Sequence, residues 1–205
     1  MAAIRTAEDA QAEIGHHFAS LVQIAQDVHS ELRIDCRKIA TFIGRGTRAG
    51  IYRDAFVRKL RDYCDQPSNG AHLHKKSQLV LVGLESKYAL RVKQLAAGFS
   101  VGVSPTHASE LYDSNEMPAY ASDLFADAPE VTLLYLGWSL PENAPNQINL
   151  YLVCNNSNRE VLWVIPLGDN DEGRGIQAPL PVENDNGDDS GIRVRVKRDK
   201  KRDHG

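Results

Sequence analysis

The sequence predicts an α+β protein in which N-terminal helices pack on a mainly antiparallel sheet of about five strands, followed by a disordered C-terminal tail. Apolar residues recur at three- and four-residue spacing up to residue 63, and at two-residue spacing from residue 79 onward. After residue 168 the chain is rich in Asp, Asn, Gly and Pro and poor in apolar residues. Because helical and strand segments are segregated rather than alternating, a doubly wound fold is not expected.

The first 32 residues are expected to contain one long helix, which begins at a capping box of Thr6 and Asp9. His16 and His17 are neighbours in this helix. Adjacent helical residues diverge by roughly 100°, so these two side chains are not expected to face one partner. The apolar stripe of the helix contains Ile14, Phe18, Leu21, Val22, Ala25, Val28 and Leu32.

The segment from Ile34 to Tyr63 is predicted to form two shorter helices separated by a turn at Gly44 and Gly46, since paired glycines favour turns. Asp35 is the expected N-cap of the first helix, whose apolar face would comprise Ile39, Phe42 and Ile43. Thr47 can cap the second helix, which carries many basic residues. The arrangement is loosely similar to a helix-turn-helix, in which the second helix enters the major groove of DNA.

Five later segments have the apolar patterns of strands. They are residues 79–82, 87–95, 131–140, 148–154 and 161–167. Glu85 and Ser86 would form the turn of the first hairpin. Residues 131–140 are apolar on both faces, which is typical of a central strand. Trp138 and Trp163 have Leu and Val neighbours, which favours a role in the core over one in stacking on nucleic-acid bases.

The expected organisation is one domain with two regions and a tail. Residues 1–66 form the helical region, and residues 77–168 form the β-rich region with a long inserted connection at 98–130. A connection of that length is often functional. Residues 169–205 form a tail that is first acidic and then basic.

The net charge of −3 conceals strongly charged segments. Residues 33–93 carry a net charge of +9, and residues 94–158 contain no Lys or Arg and carry −7. Residues 159–190 carry −6, and residues 191–205 carry +5. Such segregation predicts either electrostatic attraction of a charged partner or mutual neutralisation within the molecule.

The leading functional hypothesis is a non-enzymatic binding or regulatory protein that contacts nucleic acid or an acidic protein. The basic helix would supply Arg45, Arg48, Arg53, Arg58 and Lys59. The tail would add sequence-independent attraction through Arg193, Arg195, Lys197 and Arg198.

Two alternatives remain open. Opposite charges on the helices and on the 98–130 connection could steer a protein–protein adaptor or a homo-oligomer. A small enzyme could instead use the polar groups of residues 104–130, where a His beside carboxylates could act as a general base. These groups include His107, Glu110, Asp113 and Asp123, but no known catalytic motif contains them.

No cofactor or metal is expected. The glycines between residues 44 and 50 do not follow a strand, as a phosphate-binding loop would. Cys64, His72 and His74 are close in sequence, but their spacing matches no zinc-finger pattern.

A cytoplasmic, reducing compartment is expected. The three cysteines, Cys36, Cys64 and Cys154, form an odd and sparse set that is typical of free thiols. The N-terminus has acidic residues where a signal peptide would be apolar. No run of about 18 apolar residues occurs, so no membrane partner is expected.

Overall fold

A computed structural model confirms the predicted α+β class, with N-terminal helices packed on a mixed, mainly antiparallel sheet. The described residues are 4–39, 41–67, 69–76, 79–102, 106–118, 125, 131–141 and 143–168. The predicted disordered tail at 169–205 lies outside them. No helix in this described part of the chain has the length and apolarity needed to span a bilayer.

The expected single N-terminal helix is divided in two. Helix α1 spans Ala7–Ile14 and α2 spans Phe18–Asp35, with a 3-10 turn at Gly15–His17 between them. The predicted capping box is confirmed, because Thr6 and Asp9 each accept a hydrogen bond from the other's backbone N–H. The 3-10 turn carries the two adjacent histidines, of which His17 is buried.

The second helical segment contains one helix rather than two. Helix α3 spans Arg45–Cys64, and the described residues between α2 and α3 form turns. Asp35, the predicted N-cap, is the last residue of α2. Of the predicted apolar face, Ile39 and Phe42 are exposed to solvent and Ile43 is half-buried, because no element among the described residues covers the first two.

Among the described residues, six strands form one sheet in the order β1-β2-β3-β4-β5-β6. Their bounds are β1 Ala71–Lys76, β2 Leu79–Leu84, β3 Tyr88–Gln94, β4 Thr132–Ser139, β5 Asn149–Asn155 and β6 Val161–Leu167. All five predicted strands are present, and all neighbours are antiparallel except β3 and β4. Strand β1, which precedes the β-rich region expected at 77–168, was not predicted. Its polar sequence, AHLHKK, lacks the apolar content of the other strands.

The sheet separates two apolar cores. Leu134, Leu136 and Trp138 of β4 point to the face covered by α1, α2 and α3. Leu133 and Tyr135 point to the opposite face, where the 98–130 connection contributes helix α4, His107–Asp113. Because β4 is buried on both faces, the prediction of a central strand is confirmed.

Tyr112 anchors α4 to the sheet. Its buried hydroxyl lies 2.8 Å from the carbonyl oxygens of Ala89 on β3 and Leu134 on β4. We expect Tyr112→Phe to lower the free energy of unfolding by about 1–3 kcal/mol, because the ring is kept while buried carbonyls lose a donor. Urea denaturation measures this loss, and an unchanged midpoint would contradict it.

Candidate binding surface

Helix α3 separates two clefts. Arg48, Ile51 and Tyr52 line the first, whereas Gly50 and Arg53 line the second. The basic residues predicted on α3 therefore do not form one face. Positions on a helix differ by about 100° per residue, which directs Arg48 and Arg53 to different sides.

The first cleft, of about 910 Å³, lies between the end of α2, the start of α3 and the connection from β4 to β5. Three arginines line it, and no acidic residue does so among the described residues. Its lining comprises His29, Ser30, Leu32, Arg33, Ile34, Cys36, Arg37, Ile43, Arg48, Ile51, Tyr52, Leu140 and Pro145. This combination of cations and apolar side chains suits an acidic ligand that also has apolar groups.

A histidine of α2 supports the floor of the first cleft. His29 is buried, and its Nε2 lies 3.2 Å from the carbonyl oxygen of Pro145, which can only accept a hydrogen bond. Nε2–H therefore donates, and in the neutral ring Nδ1 accepts from the Tyr52 hydroxyl at 2.8 Å. Burial lowers the pKa of His29, which favours this neutral form. The two bonds join α2, α3 and the β4–β5 connection.

Exposed apolar side chains that line the first cleft or lie on the adjoining turn are called its rim. Ile34, which lines it, is 77% exposed. Ile39 and Phe42 are 47% and 86% exposed on the turn between Arg37 and Ile43, both of which also line the cleft. Large apolar groups with a basic surround are typical of a surface that a protein partner covers.

The second cleft, of about 570 Å³, opens where two strands diverge. The paired residues of β2 and β3 run from Leu84↔Tyr88 only to Val82↔Leu90. Beyond that point β2 stays with β1 and β3 stays with β4. The cleft between them is lined by four basic residues, Arg53, Lys75, Arg91 and Lys93, and by one acidic residue, Asp54. Asp54 already pairs with Arg53 at 2.8 Å.

Lys93, one of the cations of the second cleft, has a strongly lowered pKa. Burial is the largest cause, and the neighbouring Arg91 and Arg53 add to it, so that the pKa of Lys93 falls from its ordinary value of 10.5 to about 8. Burying the protonated Lys93 side chain costs free energy, and an anion bound in the cleft would reduce that cost.

We expect Lys93→Met to stabilise the free protein by about 1–3 kcal/mol at pH 7. Below pH 8 Lys93 is protonated in both the folded and the unfolded chain, so the folded state bears the full cost of its burial. Between pH 8 and 10.5, Lys93 loses its proton in the folded chain while it stays protonated in the unfolded chain. The stability gained by Lys93→Met therefore falls to zero across this range. Chemical denaturation from pH 7 to pH 10.5 measures this. Lys75→Met makes the same charge change in the same cleft, and an equal gain there would contradict the explanation.

The other predicted residues of the basic helix have different surroundings. Arg45, the first residue of α3, is exposed. Arg58 and Lys59 both pair with Glu31 of α2, Arg58 at 2.7 Å. The charge of these two residues is thus partly neutralised within the fold. The predicted tail residues Arg193, Arg195, Lys197 and Arg198 lie outside the described residues.

The polar groups that the structure describes in the 98–130 connection are spread out rather than gathered. His107, which is exposed, and Asp113, which is half-buried, lie at opposite ends of α4, about 9 Å apart along the axis. Glu110 faces Arg159 at 3.8 Å, and Asp113 accepts hydrogen bonds from Tyr135 and Asn155. Asp123 lies outside the described residues.

The cysteine and histidines considered for zinc are not brought together into a three-ligand group within the described part of the chain. Cys64 and His72 line one cleft, whereas the ring of His74 packs against Phe125 with 4.5 Å between ring centroids. Burial raises the pKa of the Cys64 thiol to about 11, so that it stays protonated at neutral pH.

Sequence reasoning did not single out Arg33, Arg37, Arg91 or Lys93. All four lie in the +9 segment, which was the available signal. Their grouping around α3 depends on long-range packing of the end of α2 and of β3, which no local pattern specifies.

No family model, no curated protein and no solved structure matches this chain.

Proposed function

We propose that this chain is a non-enzymatic binding protein whose first cleft takes an acidic protein segment bearing apolar side chains. The observation that carries the proposal is the lining of that cleft, in which Arg33, Arg37 and Arg48 surround apolar side chains and which contains no Asp or Glu among its described residues. Arginine binds carboxylates in bidentate geometry, which suits it to recognise Asp and Glu.

The exposed rim favours a protein over a nucleic acid as the partner. A phosphate backbone offers no apolar surface to cover Ile34 and Phe42, whereas an acidic segment with Leu or Phe residues does. Well-packed apolar anchors supply most of the affinity at such interfaces, and charges steer the encounter.

Nucleic acid is the second candidate, favoured by the continuation of positive charge across α3. Arg45 lies at the start of the helix, and the second cleft adds Lys75, Arg91 and Lys93 on its other side. A polyphosphate chain that contacts both clefts would neutralise these charges and release counterions.

An adaptor or a homo-oligomer would use the same surface. The acidic residues 94–158 of a second copy could supply the acidic partner. The dispersed polar groups of α4 offer no comparable support for an enzyme. We propose a reducing compartment, because Cys36, Cys64 and Cys154 are all free.

The test is selection from a random peptide library displayed on phage, with the full chain immobilised. We expect the enriched peptides to combine Asp or Glu with Leu, Ile, Phe or Trp, and to bind more weakly as salt increases. The same chain is titrated with labelled duplex DNA, single-stranded DNA and RNA, and its mass is measured by light scattering at low and high salt.

Three outcomes would contradict the acidic-segment proposal. Enrichment of peptides without acidic residues would show that the arginines of the first cleft do not select the peptide by its carboxylates. Tight, salt-dependent binding of nucleic acid without peptide enrichment would favour the second candidate. A concentration-dependent dimer that blocks peptide binding would favour self-association.

A further inference from the structure

The 3-10 turn between α1 and α2 brings two adjacent histidines to one carboxylate. His16 Nε2 lies 3.2 Å from Glu85 Oε1, and His17 Nε2 lies 3.4 Å from the same oxygen. The expectation that neighbouring residues cannot face one partner was wrong here, because the two rings lie side by side, with 4.1 Å between their centroids, and both reach the same carboxylate oxygen. Glu85 belongs to the turn between β2 and β3, so the contact is made only in the folded chain.

One of these histidines has a buried nitrogen with unmet hydrogen-bonding capacity. The His17 side chain is only 1% exposed, and its Nε2 has no partner of hydrogen-bonding geometry among the described residues. Its other nitrogen, Nδ1, lies 2.6 Å from the Tyr63 hydroxyl. When Nδ1–H donates to Tyr63, Nε2 presents a lone pair towards Glu85. Metal-ligating histidines use their second nitrogen in this way.

The distances from the two histidine nitrogens to the carboxylate oxygen match those in a metal coordination shell. Zinc binds imidazole nitrogen and carboxylate oxygen at about 2.0–2.2 Å in a tetrahedron, whose ligands are therefore about 3.3–3.6 Å apart. His16 Nε2 and His17 Nε2 lie 3.2 and 3.4 Å from Glu85 Oε1, which is close to that ligand–ligand distance. All three ligand atoms lie within 4.8 Å of one another.

The carboxylate is held in place by its surroundings. A Cβ at Gly70, whose φ is +68°, would lie 2.2 Å from Glu85 Oε1, so the carboxylate packs directly on the backbone there. His16 and Glu85 also line a cleft of about 780 Å³, which leaves one side of the cluster open to water or a fourth ligand.

We propose that His16 Nε2, His17 Nε2 and Glu85 Oε1 bind a divalent transition-metal ion of the Zn²⁺ class. Three protein ligands and an open position are the arrangement found where zinc keeps a water molecule. Tyr63 is a positioning residue that orients the ring of His17. The ion would join the α1–α2 junction to the β2–β3 turn, 69 positions apart in the chain for His16 and Glu85.

The test uses the full chain, purified without a histidine tag, freed of metal with a chelator, and titrated calorimetrically with ZnCl₂. We expect one equivalent of Zn²⁺ to bind and to raise the thermal midpoint. Co²⁺, which reports its own geometry, should give the visible absorption of a tetrahedral site. His16→Gln and Glu85→Gln should each weaken Zn²⁺ binding at least about tenfold, and Tyr63→Phe about tenfold.

Matched controls come from the same cleft. His72→Gln and Cys64→Ser change potential ligands that lie outside the three-atom cluster, and we expect them to leave the affinity unchanged. His17→Gln is avoided because its ring is buried and its loss could unfold the chain. Circular dichroism checks that each variant is folded.

Two results would overturn the proposal. Absence of saturable Zn²⁺ and Co²⁺ binding by the folded parent would mean that His16, His17 and Glu85 form only an ion pair. Binding that survives in both His16→Gln and Glu85→Gln, or is lost in His72→Gln, would place the ion elsewhere.

Discussion

Replacing Arg33, Arg37 and Arg48 with glutamine is expected to reduce the affinity for a selected acidic peptide by at least about 100-fold. Each tenfold loss corresponds to about 1.4 kcal/mol, and charged contacts of this kind contribute on that scale. All three residues line the first cleft. The remaining binding should also depend less on salt, because fewer charges attract the peptide. Fluorescence anisotropy at several salt concentrations measures both quantities.

The matched control removes the same amount of charge elsewhere. Arg58→Gln, Lys59→Gln and Arg61→Gln alter the second half of α3, and Arg58 lies about 15 Å along the axis from Arg48. We expect this variant to keep most of the affinity. An equal loss in both variants would mean that net charge, rather than the first cleft, attracts the peptide.

Phe56→Ala is expected to lower the free energy of unfolding by about 3–5 kcal/mol, a large part of the stability of an ordinary domain. Phe56 is fully buried on α3 and stacks on Trp138 of β4, with 6.4 Å between ring centroids. Tyr52 stacks on the same indole at 4.3 Å. Truncation leaves a cavity where the helices meet the sheet, and urea denaturation followed by circular dichroism measures the cost.

Two comparisons separate packing from binding. Phe56→Leu fills most of the cavity and should cost less than Phe56→Ala. Phe42→Ala removes the same atoms from a side chain that is 86% exposed, so we expect a change within about 0.5 kcal/mol in stability and a clear loss of peptide affinity. Equal destabilisation by Phe42→Ala and Phe56→Ala would contradict the assignment of Phe56 to the core.

The sheet was predictable because its signals are local. Tyr88, Leu90 and Val92 alternate with Arg91 and Lys93, and β3 buries the first three as the pattern requires. Trp138 is wholly buried, as its apolar neighbours indicated. The parallel pairing of β3 with β4 could not be read in this way, since strand direction depends on the route of the intervening chain.

The helical region shows where local patterns fail. Ile39, Phe42 and Ile43 have the spacing of a helix face, yet no element in the described part of the chain covers Ile39 and Phe42, which stay exposed. Spacing shows which residues could share a face, but burial depends on what lies opposite. The exposure of these side chains also favours a protein partner. The same residues thus contradict the predicted helix face and support the proposed function.

The sequence by itself determined the class of the fold, the segregation of charge and the capping of the first helix at Thr6. These depend on residues that are near neighbours in the chain. Only the tertiary structure decided that Arg58 meets Glu31 while Arg33 and Arg48 line an open cleft, and that His16 and Glu85 meet at 3.2 Å. The physical reason is that these contacts join residues far apart in sequence, and they form only where packing of the helices on the sheet closes the loop between them.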